Sequence, residues 1–213
     1  MKHRGLLRAY RDLLVAAPLS VTSVREAEAA WRLHVVDALT ALPVVEERAP
    51  AQVIDVGSGG GSPGIPIAIE SGRAMTLLEA RAPKARFLRR IVDELGLACE
   101  VVHARSEDLG RAGGRDAFDM ALARALAPPA AAVELCLPLV RPGGCLVLWA
   151  AASESAPAAA SAALVAGRLA AVVPTNASRA LLVIEKTGPT PAAFPRRPGR
   201  ARRRPPASLR SRT

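Results

Sequence analysis

The residues best placed to do chemistry form one run, Asp55-Val56-Gly57-Ser58-Gly59-Gly60-Gly61-Ser62-Pro63-Gly64, directly after the β-branched stretch Val53-Ile54. Glycine there permits positive φ and lets a ligand approach the main chain. A dinucleotide loop would want its third glycine at position 62 and an apolar residue at 55. This chain has Ser62 and Asp55 instead, and both departures point away from NAD. An acid ending the first strand would repel a pyrophosphate but suits a ligand that carries an ammonium group. S-adenosylmethionine has such a group, a sulfonium and no phosphate. Glu79 ends the second strand 24 residues after Asp55, where a carboxylate can accept both ribose hydroxyl protons. The third strand runs into Ala104-Arg105-Ser106-Glu107-Asp108, whose backbone and acid can read the adenine edge. Asp55, Glu79 and Glu107 thus stand at three strand ends in register with three parts of one cofactor. The plainer alternative is a Rossmann-like domain with solvated loop acids.

Arg124 ends a fourth strand at the carboxyl edge, where open α/β sheets bind ligands. It is a candidate for positioning substrate or cofactor, and the structural alternative is an ion pair with Asp119 or Asp116. Absences narrow the acceptor. After the fourth strand stands Ala123-Arg124-Ala125-Leu126, with no [N/D]-P-P-[Y/F/W] loop for amino-group methylation of adenine. Cys99, Cys136 and Cys145 follow Ala98, Leu135 and Gly144 rather than proline, and read as core thiols rather than as the nucleophile that carbon methylation of cytosine needs. N7 of guanine has an exposed lone pair and no proton to lose, so orientation alone can suffice.

The elements that must position these residues follow an alternating pattern. Residues 1–42 read as two helices, the second opened by a capping box of Thr22-Ser23 with Glu26 and closed by Pro43. From Ala51 short β-branched runs alternate with amphipathic segments, the mark of βαβ units and a mostly parallel sheet. Strands are expected at 53–56, 75–79, 100–103, 118–123, 145–149 and 181–185, with Pro66 at the first position of a short helix after the glycine run. Expected domains are a helical extension at 1–43, an α/β body at 44–187 and a Pro/Arg-rich tail at 188–213, extended or disordered.

The chain has 213 residues, a length for one domain plus an extension, and a net charge of +10. Alanine is about a fifth of it, so strong core formers are fewer than the hydrophobic share of 50% implies. From Arg196 onward stand eight arginines and no acid, so the rest of the chain is nearly balanced. Such a cluster neutralises phosphates, or is only a solvated basic extension. With aromatics at 3%, base reading by stacking platforms is not expected. The three cysteines have neither disulfide nor zinc spacing, which fits a reducing cytoplasm and no metal. Charges break the apolar N-terminal stretch and Arg168 interrupts the Ala-rich run 156–173, so neither a signal nor a membrane span is expected.

The run Val53-Ile-Asp-Val-Gly-Ser-Gly-Gly-Gly-Ser-Pro-Gly-Ile-Pro resembles that of the bacterial small-subunit rRNA methyltransferase G family, also called the glucose-inhibited division protein B family. So do His34-Val-Val-Asp37-Ala-Leu, the helix Lys84 to Leu88, Arg105-Ser-Glu-Asp, Arg124-Ala125, Leu181 to Lys186 and Phe194-Pro-Arg-Arg-Pro-Gly199. The resemblance implies a Rossmann-like S-adenosylmethionine-dependent methyltransferase fold and methyl transfer to N7 of a guanine in 16S rRNA. It also implies cofactor contacts at Gly57, Ser62, Ser106, Glu107 and Arg124, to which the physical argument adds Asp55, Gly59 and Glu79. The partner would be 16S rRNA or a small-subunit assembly intermediate, and the protein a cytoplasmic monomer. The chain departs from the family at Ala16-Ala17 and Ser20-Val21-Thr22, where W-N and N-L-T are usual, and at Trp149-Ala150, where K-G is usual. Two other readings remain: a small-molecule methyltransferase with an incidental tail, and a noncatalytic RNA-binding protein on the same fold.

Overall fold

A computed structural model describes residues 1–17, 21–176 and 178–206. Ser20, Arg210 and Arg212 lie outside the described residues. The chain divides into two compact units, Met1–Ala104 and Arg105–Thr213. This division falls inside the expected α/β body.

In the first unit, α1 (Arg4–Val15) carries Leu7, Tyr10 and Leu14 on one stripe, all fully buried. Burial of each such side chain contributes about 2 kcal/mol. The next helix is one continuous stretch: α2 (Ala27–Ala30), a π-helical segment (Trp31–Val36) and α3 (Asp37–Leu39). Its cap differs from the expected box. Glu26 itself caps it, accepting from the Glu28 and Ala29 amides at 2.9 and 2.6 Å, while the Thr22 hydroxyl accepts from Val24 in a local turn. Pro43 ends nothing by itself; it lies in the first turn of α4 (Leu42–Arg48), where its missing N–H is harmless.

Then come β1 (Val53–Val56), α5 (Gly64–Ser71), β2 (Met75–Leu78), α6 (Ala82–Glu94) and β3 (Cys99–Val102). The three strands are parallel with β2 in the middle, in register Ile54 to Thr76 and Thr76 to Glu100. Pro66 is the third residue of α5, not the first, because Gly64 opens the helix by bonding Asp55. The apolar face of α6, with Phe87, Leu88 and Ile91, is buried as its spacing requires.

The second unit holds α7 (Ser106–Leu109), β4 (Phe118–Arg124), α8 (Pro129–Cys136), β5 (Val140–Ala150), α9 (Ser155–Leu164), β6 (Gly167–Pro174), β7 (Ala180–Lys186) and α10 (Arg200–Arg203). Its strands run in the order β4-β5-β7-β6, with β4 and β5 parallel and β7 antiparallel to both neighbours. The first unit is wholly parallel and alternates with helices, the second keeps that alternation around its parallel pair β4 and β5 and adds the antiparallel β7, and together these are the elements of a Rossmann-like α/β fold with a mostly parallel sheet. Strand β6 was hidden within the Ala-rich run; five of its residues, from Ala170 to Pro174, are exposed, so no buried alternation marks it.

The tail expected to be extended or disordered is folded through residue 206. Arg196 places its guanidinium on the buried Glu134 carboxylate, Nε to Oε1 at 2.8 Å, and its main-chain N–H on the same oxygen at 3.0 Å. Arg115 donates to the carbonyls of Phe194 and Thr190 at 2.7 and 2.6 Å. Lys186, fully buried, donates to the Leu137 carbonyl at 2.9 Å and pairs with Asp116 at 3.1 Å, and the Thr190 hydroxyl donates to the same carboxylate at 2.6 Å. These internal acids and bases outweigh the composition of the segment. Among the described residues no helix is long and apolar enough to cross a membrane.

Candidate functional site

Strand β1 delivers the chain into a tight glycine turn. Gly57 has φ 75°, and its N–H and that of Ser58 donate to the Leu78 carbonyl at 2.8 and 3.0 Å, which pins the turn to the end of β2. Gly59 has φ 61°, a conformation that strains any residue with a Cβ. A Cβ on Gly59 would meet nothing nearer than 3.8 Å, where the Gly57 carbonyl and the Lys84 ammonium stand. The main chain is therefore open at this point, with an acceptor and a cation at its edge. A Cβ on Gly60, by contrast, would lie 2.7 Å from Leu14 of α1, and the Gly60 carbonyl accepts from the Tyr10 hydroxyl at 3.1 Å. The helical extension thus backs the glycine turn.

Glu79 is buried and holds the turn from below. Its Oε2 accepts the Gly59 N–H at 2.9 Å and its Oε1 the Arg81 N–H at 2.7 Å. Each carboxylate oxygen keeps a further lone pair for a ligand hydroxyl. Asp55 is 1% exposed, and its Oδ2 accepts the Gly64 N–H at 3.0 Å, so it anchors the start of α5 in addition to any ligand role. Ser62 donates to the His34 carbonyl at 2.8 Å and ties the turn to the π-helical segment. The structure therefore brings Asp55, Gly57, Gly59, Ser62 and Glu79 together in one hydrogen-bonded cradle. Lys84, part of the helix motif but not singled out as a site residue, joins them.

In the second unit, Ser106 and Glu107 open α7 and are both buried, with the Ser106 hydroxyl 3.4 Å from Glu107 Oε2. Glu107 Oε1 accepts the Gly199 N–H at 3.0 Å, a structural use that the sequence did not signal. Arg124 is half-buried at the end of β4, in register with Trp149 of β5. Of the two acids weighed as its partners, Asp119 pairs with Arg141 and Asp116 with Lys186. Immediately after it Ala125 takes φ 53°, a left-handed conformation that costs about 1–3 kcal/mol and is typical of sites where geometry matters. Beside it lies a cavity of about 400 Å³ walled by Ala125, Pro128, Trp149, Glu154 and Arg179. Trp149 is buried at its wall, and Arg179 brings a cation to the same cavity.

The thiols take no part. Cys136 and Cys145 are buried, and burial pushes the Cys99 thiol up to about 11, the charge of Asp55 adding to it, so Cys99 is not poised as a thiolate at neutral pH.

A family model described as rRNA small subunit methyltransferase G matches residues 5–177. The ribosomal RNA small subunit methyltransferase G of Moorella thermoacetica is 35% identical, over 94% of this chain and 89% of its own length. That of Sorangium cellulosum is 39% identical, over 84% and 77%. Among solved structures, a MtNAS variant in complex with S-adenosylmethionine is similar with a TM-score of 0.56 at 16% identity, covering 86% of this chain and 72% of that one. The mitomycin 7-O-methyltransferase MmcR reaches a TM-score of 0.55 at 20% identity, covering 71% and 54%. At these identities the structural likeness is one of fold.

Proposed function

The chain belongs to the rRNA small subunit methyltransferase G family, and from that premise we propose that it transfers a methyl group from S-adenosylmethionine to N7 of a guanine in 16S rRNA. The observation that carries the cofactor assignment is the cradle: a main chain open at Gly59, flanked by the Gly57 carbonyl and Lys84 and held by the Glu79 carboxylate. These residues fit the group. Gly57 O can accept from its ammonium, Lys84 can meet its carboxylate, and the free lone pairs of Glu79 can accept from its ribose hydroxyls. For Ser106, Glu107 and Arg124 of the second unit, a cofactor contact is proposed on the family resemblance of their motifs alone.

When bound, S-adenosylmethionine supplies an electrophilic methyl group on a sulfonium. The chain's own task is to orient a base whose N7 lone pair needs no deprotonation, so no general base is assigned. The cavity beside Trp149 provides a wall for such a base, swung out of its stack, with Arg179 and Glu154 at its polar side. The substrate is 16S rRNA or a small-subunit assembly intermediate, and the protein acts in the cytoplasm as a monomer. Incubating the purified protein with labelled S-adenosylmethionine and free 16S rRNA or small subunits tests this. Label in the RNA supports it, and a protein that binds the cofactor but leaves both RNAs unlabelled contradicts it.

A further inference from the structure

The folded tail leaves a cavity of about 370 Å³ walled by Arg111, Ala193, Arg196, Arg197, Arg200 and Arg204. Against the roughly 30 Å³ share of one water, this is room for a phosphodiester segment. Of the five arginines, Arg196 is committed to Glu134. The other four, Arg111, Arg197, Arg200 and Arg204, are exposed, and among the described residues none of them pairs with a carboxylate. Like charges around one space repel, so the chain must be held there by other bonds. It is: Gly199 donates to Glu107, Arg115 grips the Phe194 and Thr190 carbonyls, and Arg202 donates to the Leu126 carbonyl at 2.7 Å.

We infer that this cavity is a phosphate-binding site that grips the sugar-phosphate backbone of the RNA substrate. Guanidinium groups match phosphate oxygens in a bidentate way, and here the cost of ordering the main chain that carries Arg197, Arg200 and Arg204 is met by the fold before RNA arrives. Four unneutralised guanidiniums spread around a space of this size match consecutive backbone phosphates better than one small anion. The inference rests on the reading of 16S rRNA as substrate.

The test is binding of 16S rRNA to the full chain from 50 to 200 mM salt. It compares the wild type, the triple variant Arg197→Gln, Arg200→Gln, Arg204→Gln, and a control triple, Arg8→Gln, Arg32→Gln, Arg86→Gln, on exposed positions of the first unit. The tail triple should bind RNA about tenfold or more weakly at physiological salt, with a log-log salt slope shallower by about 2. Its S-adenosylmethionine affinity and that of the control should be unchanged. Should the tail triple fail to fold, Arg111→Glu, which lines the same cavity from outside the tail, is expected to give the same loss. Unchanged RNA affinity and slope, or an equal loss in the control, overturns the phosphate site while wild-type methylation of 16S rRNA leaves the enzymatic reading standing. A wild type that neither binds nor methylates 16S rRNA overturns both.

Discussion

The Glu79 carboxylate accepts the Gly59 N–H at 2.9 Å with one oxygen and the Arg81 N–H at 2.7 Å with the other. One side chain at the end of β2 therefore sets the glycine turn and the entry to α6 together. Hydrogen bonds to a charged group contribute about 1.5–3 kcal/mol each. Glu79→Ala should lower stability by about 2–4 kcal/mol and weaken S-adenosylmethionine binding by about tenfold or more, read by calorimetry. Unchanged affinity in the folded variant would take Glu79 out of the cofactor site.

Two glycines of the same turn should fail in opposite ways. A Cβ on Gly64 would stand 2.6 Å from Leu77 Cδ2 and 2.8 Å from Asp55 Oδ2, so Gly64→Ala should cost about 1–3 kcal/mol of stability. A Cβ on Gly59 meets only ordinary contacts at 3.8 Å, and its φ of 61° costs about 1–2 kcal/mol. Gly59→Ala should lose more cofactor affinity than stability, and Gly64→Ala more stability than affinity. Thermal melts beside calorimetric titrations check the contrast. A valine at Gly57 strains the turn itself, since φ there is 75° and its N–H is bonded to Leu78.

The buried Glu134 carboxylate is the anchor of the tail. Removing one partner of a buried, hydrogen-bonded pair typically costs about 3–5 kcal/mol. With the Arg196 side chain partly solvated, Glu134→Ala is expected near the lower end, about 3 kcal/mol. The same substitution should loosen the main chain of residues 196–204 and speed its cleavage by trypsin, and limited proteolysis measures this. A tail as resistant as in the wild type would show that Glu134 does not hold it. Truncation after Gly188 is expected to cost stability as well as RNA affinity, because it removes this pair.

Lys186 and Asp116 make stability depend on pH in two senses. Burial works to raise the Asp116 carboxyl, but hydrogen bonds from Thr190 and Lys186 and the Lys186 charge outweigh it and hold it below its ordinary value. Burial pulls the Lys186 ammonium down against its pairing with Asp116. The Asp116 contribution is complete above the unfolded carboxyl value of about 4 and is lost as pH falls through the folded value. The Lys186 penalty is present while the amine is charged, and is relieved as pH rises from its folded value toward about 10.4. Melting temperatures of the wild type and Asp116→Asn should differ most near neutral pH and converge in acid below about pH 4. A difference that persists unchanged into acid would contradict the assignment.

Much of the α/β pattern was legible because β-branched runs and the apolar stripe of α6 answer to local spacing. The glycine turn was legible because few other chemistries want Asp55, Gly57 and Gly59 at a strand end. Long-range partners were not. Glu134 looks like any surface acid on an alanine-rich helix, and only its meeting with Arg196, 62 residues on, makes it an anchor. The tail reads as solvated because composition records its charges but not the acid and carbonyls that receive them. Asp55 and Glu107 read as ligand groups by type, while their bonds to Gly64 and Gly199 depend on how the chain folds back. Ser62 likewise gives no local sign that it will reach the His34 carbonyl.

The central claim is the identity of the methylated atom. Nucleoside mass spectrometry of 16S rRNA, treated with the purified protein and S-adenosylmethionine or with buffer alone, tests it most directly. The account predicts N7-methylguanosine at one position in the treated RNA, reduced by Glu79→Ala when S-adenosylmethionine is limiting. A methyl group on another base or another guanine atom would contradict it.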